Sequence, residues 1–259
     1  LTCFPVFYTL LVGQPMVLLA CSVAEAYISF KADRRFTAGL WVATLLIKPQ
    51  YGLVIGPLLL WKREWRAVAG ASLGAAGIIA ASILAAGPAA VLAYPSSLAD
   101  LTGFRGSELL GADQMINWRG LILRLAPAID PRPGTLLVLG LGVMTVAIAL
   151  WACRGEWQPH KGSFEAQWVV LLVATLLANY HSHVYGMVLL VVPLAALIAR
   201  AKVGPLTSAT TKYLLIVPSV LFVATLSTVL VGLAAELGLI ALFASLCWSL
   251  RGPLPESRS

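Results

Sequence analysis

The stretch from Phe36 to Arg66 constrains the fold more than any other part of the chain. An apolar run from Phe36 to Ile47 and a second from Tyr51 to Trp61 flank Lys48-Pro49-Gln50. A helix needs about 20 residues to cross a bilayer, so neither run suffices alone. Joined they are long enough, but Pro49 removes a backbone donor and disfavours helix at Lys48. The pattern predicts a helical hairpin or broken helix with a cation at its bend, near one membrane face. A lysine at the centre of a spanning helix costs about 2.5–3.5 kcal/mol on an insertion scale. Lys48 is therefore expected to face protein or a wet cavity rather than lipid.

The rest of the chain agrees with that reading. Of 259 residues, 59% are hydrophobic and 11% charged, against about 25% charged in soluble domains. The expected fold class is all-α: a polytopic helical bundle of about eight to ten membrane helices, forming one transmembrane domain over residues 1–259. The first residue is Leu, and no basic segment precedes an apolar core as in a signal peptide. The sequence opens inside what reads as a helix end and is expected to be the C-terminal part of a longer protein. The cysteines Cys3, Cys21, Cys153 and Cys247 are widely spaced, as expected for lone thiols in apolar segments.

Helices are expected over Gln14–Phe30, Ala67–Gly87, Thr135–Cys153, Ala166–Ala178, Val184–Ala199, Tyr213–Leu233 and Leu237–Leu250. Gly70, Gly74 and Gly77 give the second of these a small face for close helix contact. Residues 88–133 form the longest polar segment, with Val91–Leu101 and Trp118–Leu125 predicted as short interfacial helices. Pro127 and Pro131-Arg132-Pro133-Gly134 are expected to break the chain.

Alternating the spans gathers Lys31–Arg35, Lys62–Arg66, Arg154–Lys161, Arg200–Lys212 and the tail on one side. Together they hold 13 of the 18 Lys and Arg. The net charge of +7 thus reads as a topology signal, with the basic side cytoplasmic, and not as a nucleic-acid site. The opposite face receives Gln14, Lys48, Gln50, the 88–133 segment, Asn179–Tyr185 and Glu236. Every unusual polar cluster falls there, which points to an outward-facing polar site over a helical bundle.

Within that site Lys48 contacts a phosphate or, alternatively, caps the bend and snorkels to lipid. His181 and His183 point the same way if extended and diverge if helical. No third ligand stands near them in the sequence, so no metal is expected. They are candidates for hydrogen bonding to a substrate phosphate, with interfacial structure the alternative. Tyr180 and Tyr185 read equally as an aromatic belt. Arg119, in Asn117-Trp118-Arg119, either binds phosphate or sugar or anchors its helix by snorkelling. Asp100, Glu108, Asp113 and Asp130 are candidate general bases or simply solvated acids. Glu25, inside a span towards its cytoplasmic end, is expected to be neutralised or to snorkel rather than to take part in chemistry. No Walker loop or Rossmann glycine pattern is present, so no nucleotide cofactor is expected.

The set of segments resembles glycosyltransferase family 87, within the GT-C class of membrane glycosyltransferases. The matching pieces are Gly13-Gln14, Ala38-Gly39-Leu40 with Ile47-Lys48-Pro49-Gln50, Trp61-Lys62-Arg63-Glu64-Trp65-Arg66, Asn117-Trp118-Arg119-Gly120-Leu121 and His181-Ser182-His183-Val184-Tyr185. The resemblance implies transfer of a sugar, mannose first, from a polyprenyl-phosphate sugar donor to a glycolipid or glycan acceptor at the outer face of the cell membrane. It implies substrate binding by Gln14, Lys48, Gln50, Asn117, Arg119, His181, His183 and Tyr185. It also implies a general-base aspartate upstream of residue 1. A transporter or lipid flippase is the competing reading, since broken helices with mid-depth polar groups serve both. No internal repeat of the hairpin supports it. A structural subunit without chemistry is a third.

Overall fold

The computed structural model describes residues 4–11, 13–52, 54–101, 115–201 and 228–250. The described residues form eleven α-helices and no β-strand. In chain order these are α1 (Phe4–Leu11), α2 (Met16–Lys31), α3 (Arg35–Ala43), α4 (Ile55–Trp61), α5 (Trp65–Ala86), α6 (Pro88–Leu101) and α7 (Trp118–Leu125). Then follow α8 (Pro131–Ala152), α9 (Ser163–Ala178), α10 (Val191–Ala201) and α11 (Thr228–Ser249). Short 3-10 segments span Thr44–Ile47, Pro49–Gly52 and Val184–Leu190.

Helix α9 is the centre of the bundle. Every residue from Phe164 to Leu177 is buried, as expected of a helix that is hydrophobic all round. Helix α2 packs inward through Met16, Leu19, Val23, Ala26 and Phe30, an alternation of three and four that keeps one stripe on the core. Helix α5 is the reverse case. Only Ala67 and Gly70 are buried, while Leu73, Ile79 and Leu84 are exposed. A surface this apolar suits hydrocarbon as its solvent and not water. Among the described residues three stretches are long and apolar enough to cross a membrane: Trp65–Ala86, Pro131–Ala152 and Gly232–Ser249. Shorter apolar helices cover Arg35–Ile47, Ser163–Ala178 and Val184–Ala199. The chain is an all-α membrane protein.

The hairpin is broken where the sequence indicates. Helix α3 tightens into a 3-10 turn, Lys48 takes an extended backbone (φ −133°, ψ 83°), and a second 3-10 turn begins at Pro49. Close packing on α5 fixes its position. A Cβ on Gly39 would lie 1.9 Å from the Ala67 carbonyl oxygen, and one on Gly70 would lie 2.0 Å from that of Phe36. Gly74 meets the Ala43 side chain. Gly77, expected to extend this face, has nothing within 4 Å of its Cβ position. The contact ends one turn earlier because α3 ends at Ala43.

Two further expectations are corrected. Pro131-Arg132-Pro133-Gly134 does not break the chain before α8 but forms its first turn. Proline is at home there, because the first N–H groups of a helix have no internal partner. Glu236 does not sit in an outer turn between two helices. It lies within the continuous helix α11, fully buried, where Arg124 meets its charge. Arg105, Glu108, Asp113, most of Arg200–Lys212, residues 213–227 and the tail from Arg251 lie outside the described residues. Asp100 is in α6, and its side chain is likewise outside them.

At one end of the bundle three of the basic segments meet. Asp33 accepts from His160 at 2.6 Å, Lys62 reaches the Gly155 carbonyl at 2.5 Å, Lys31 pairs with Glu165 at 2.8 Å, and Arg35 pairs with Glu64. Phe30, Trp157, Phe164 and Trp168 pack edge and face beneath them. Helices α2 and α9 each run 16 residues away from this end, about 24 Å at 1.5 Å per residue. Gln14, Lys48, Asn117, Arg119 and the loop from Asn179 to Tyr185 gather at the far end.

Candidate active site

The far end is assembled from four pieces of chain. Gly13, at φ +64°, turns the chain out of α1 and places Gln14 just before α2. The hairpin bend supplies Lys48. The residues before and at the start of α7 supply Asn117 and Arg119. The loop after α9 supplies Asn179 to Tyr185.

Two of these pieces are zipped together. Met115 and His183 form an isolated antiparallel bridge, and the Ile116 N–H donates to the Ser182 carbonyl at 2.8 Å. The Asn117 amide Nδ2 donates to the Asn179 carbonyl at 2.7 Å, while its Oδ1 caps α7 by accepting from the Gly120 N–H at 2.9 Å. Asparagine is a favoured N-cap for this reason. Glycine is required at 120 because a Cβ there would lie 2.2 Å from the Met115 carbonyl oxygen. The Trp118 indole N–H donates to Thr145 at 2.8 Å, docking α7 on α8.

On this frame sit two cations. The Lys48 ammonium donates to Gln14 Oε1 at 2.5 Å and stands 4.9 Å from the centre of the Tyr185 ring. The Arg119 side chain is fully buried, its guanidinium 4.8 Å from the centre of the Tyr180 ring. Tyrosine faces attract cations through the ring quadrupole. Between them stand the histidines. The His181 and His183 rings are 5.1 Å apart, and His183 stacks on Tyr185 at 5.2 Å. His183 is extended (φ −104°, ψ 169°), so the extended reading of the pair holds. Burial, reinforced by Arg119 and Lys48, pushes the His181 imidazole down to about 4. Burial, then His181, Lys48 and Arg119, does the same to His183. Both rings are neutral at pH 7.

The structure thus brings Gln14, Lys48, Asn117, Arg119, His181, His183 and Tyr185 into one cluster. Gln50 lies in the second 3-10 turn, partly buried, and its side chain makes no hydrogen bond to the cluster among the described residues. Asp130 is exposed at the N-cap of α8. Sequence reasoning missed Tyr180 as the ring beneath Arg119, and Asn179 and Ser182 as buried framework. The signal was their position within one unbroken polar run beside the histidines. His181 Nδ1 and the Asn179 amide nitrogen are buried without a hydrogen-bond partner among the described residues. Buried polar atoms are rarely left so, and His181 Nδ1 lies within the cationic cluster.

Apolar spanning helices and a cluster of cations and neutral imidazoles at one end define a membrane protein with a polar site. The family model for glycosyltransferase family 87 matches residues 1–179. The chain belongs to that family and is a membrane glycosyltransferase, acting on a sugar donor and an acceptor. No curated protein and no solved structure matches it. The matched region carries Gln14, Lys48, Asn117 and Arg119. His181, His183 and Tyr185 lie just beyond its end, and the fold returns them to the same place.

Proposed function

We propose that this chain transfers mannose from a polyprenyl-phosphate donor to a lipid-linked or glycan acceptor at the extracytoplasmic face of the cell membrane, as a GT-C-type enzyme. In this reading residues 1–259 are one multi-pass transmembrane domain, with the 88–133 segment over its outer face. The observation that carries the reading is the convergence of Lys48 and Arg119 around two neutral histidines at the end away from the basic loops. By the positive-inside rule those loops are cytoplasmic, so the cluster faces outward.

The chemistry follows from charge. When the glycosidic bond to the donor phosphate breaks, negative charge grows on the phosphate oxygens. Donors fixed in a dry site stabilise such charge without reorganising, and removal of one typically costs 10²–10³ in rate, about 2.7–4 kcal/mol. Lys48 is oriented by an amide oxygen and a ring, which position its charge without neutralising it. Arg119 is a planar fork matched to phosphate oxygens. The neutral imidazoles can donate to the phosphate or accept from a sugar hydroxyl. Asn117, with its amide committed to the α7 cap and to Asn179, serves by holding Arg119 in place.

Membranes containing the protein, supplied with radiolabelled polyprenyl-phosphate mannose, test this reading. Transfer of label to lipid or glycan is expected in wild type and is expected to fall about 10²-fold or more in Lys48→Ala. His181→Ala is expected to lower it further than any basic-loop variant. Wild-type transfer in both variants would overturn the site assignment.

A further inference from the structure

The strongest unassigned feature is the ion pair between Arg124 on α7 and Glu236 on α11. Both side chains are almost wholly buried, 6% and 0% exposed. Glu236 lies in a helix otherwise built of apolar and small residues. A buried pair gains little over well-packed apolar side chains, because desolvation offsets the attraction. Joining two helices is thus a weak reason to keep this one.

A second hydrogen bond of Arg124 supplies a better reason. Its Nη1 donates to the Met115 carbonyl oxygen at 2.9 Å while Nη2 engages Glu236. Met115 is the residue bridged to His183, next to the Ile116 that donates to Ser182. The segment 115–117 is therefore held from two sides. The histidine loop grips it through Ser182, His183 and Asn179, and Arg124 grips it from α7. Glu236 fixes the plane of the guanidinium, and a planar fork fixed at one prong aims the other.

We infer that Arg124 and Glu236 are positioning residues for the active site, setting the register between the 115–117 segment and His181–His183. Helix α11, beyond the region matched by the family model, is then part of the catalytic architecture and not only a membrane anchor. The effect on transfer rests on reading the cluster as the donor site; the effect on the histidines does not.

The chain has three histidines, and His160 lies at the opposite end against Asp33. It serves as an internal control. The test is histidine-selective 15N NMR of the protein in lipid nanodiscs, run beside the transfer assay. Glu236→Gln keeps the shape and removes the charge. It is expected to move the His181 and His183 signals, to leave His160 in place, and to lower kcat/KM about 10–100-fold, since misplacement by about 1 Å costs that order. Glu236→Asp retains the charge at shorter reach and serves if the glutamine variant does not insert; a smaller shift of the same two signals is expected.

The exchange Arg124→Glu with Glu236→Arg separates positioning from simple cohesion. It restores the pair, but a carboxylate at 124 cannot donate to Met115. Stability is expected to return while the histidine signals stay displaced. Unmoved His181 and His183 signals in an inserted Glu236→Gln protein, or their full return in the exchange, would overturn the inference. Absence of transfer in wild type would instead defeat the proposed donor, with the NMR result still deciding this one.

Discussion

The two ends of the molecule use their cations differently. At the basic end several meet carboxylates: Lys31 on Glu165, Arg35 on Glu64 and Asp33, Lys161 on Glu156 at 2.5 Å, and His160 on Asp33, while Lys62 reaches the Gly155 carbonyl. At the far end Arg124 also meets a carboxylate, that of Glu236, but Lys48 meets an amide oxygen and a tyrosine ring, and the Arg119 guanidinium lies over another ring beside two imidazoles. A carboxylate neutralises its partner, whereas a ring or an amide oxygen holds a cation without neutralising it. Lys48 is the clearest case, oriented by the Gln14 amide oxygen and the Tyr185 ring.

The sharpest way to break this comparison is to remove one cation from each end. Arg119→Ala is expected to lower sugar transfer by about 10²–10³-fold, with the protein still inserted. Lys62→Ala, which gives up a bond to the Gly155 carbonyl, is expected to leave transfer near wild type. Equal losses from both would erase the distinction between the ends.

A second test targets the hairpin that presents Lys48. Gly70→Leu drives a side chain into the Phe36 backbone. It is expected to cost at least the 1–3 kcal/mol typical of overpacking and to lower transfer with it. Gly77→Leu, on the same helix with open space around it, is expected to change thermal stability little. Comparing the two melting temperatures in detergent reads the difference directly.

At the basic end, Glu165→Gln should weaken stability and not chemistry. Glu165 is buried and accepts from both Lys31 and Tyr27. Loss of its charge is expected to cost about 1–3 kcal/mol, the range for disturbing a buried hydrogen-bonded group. The kcat of the protein that remains folded should be unchanged.

The smallest effect is the most specific in pH. His181 and His183 titrate near 4 in the folded protein and near 6.5 when unfolded. Between those values the unfolded chain binds more protons, so their contribution is fully present above about pH 6.5 and is lost as pH falls towards 4. Melting temperature should drop across that window. In the His181→Gln, His183→Gln double variant the slope should flatten, and an unchanged slope would mean that the rings are not buried as neutral groups.

Much of this was legible in the sequence. Lys48-Pro49 between two short apolar runs gave the hairpin, because proline and a buried cation are local signals. The segregation of basic loops from the remaining polar groups gave the two ends, because it follows from alternation along the chain. The rest depended on distant pairings. Gly39 looked like any helical glycine until α5 lay against it. Glu236 read as a turn because a lone acid between apolar stretches resembles one, and its partner inside the bundle, Arg124, lies 112 residues away. Tyr180 had two equal readings until Arg119 stood over its ring.

The central claim is that the far end, and not the basic end, receives the donor's phosphate. The most direct measurement is photo-crosslinking with a polyprenyl phosphate that carries a photoreactive group beside the phosphate, mapped by mass spectrometry on the protein in native membranes. The account predicts labelling at peptides containing Lys48, Arg119 and His181–Tyr185, competed by unlabelled polyprenyl phosphate and lost in Lys48→Ala. Labelling confined to peptides containing Lys62, Arg154 or Lys161 would contradict it.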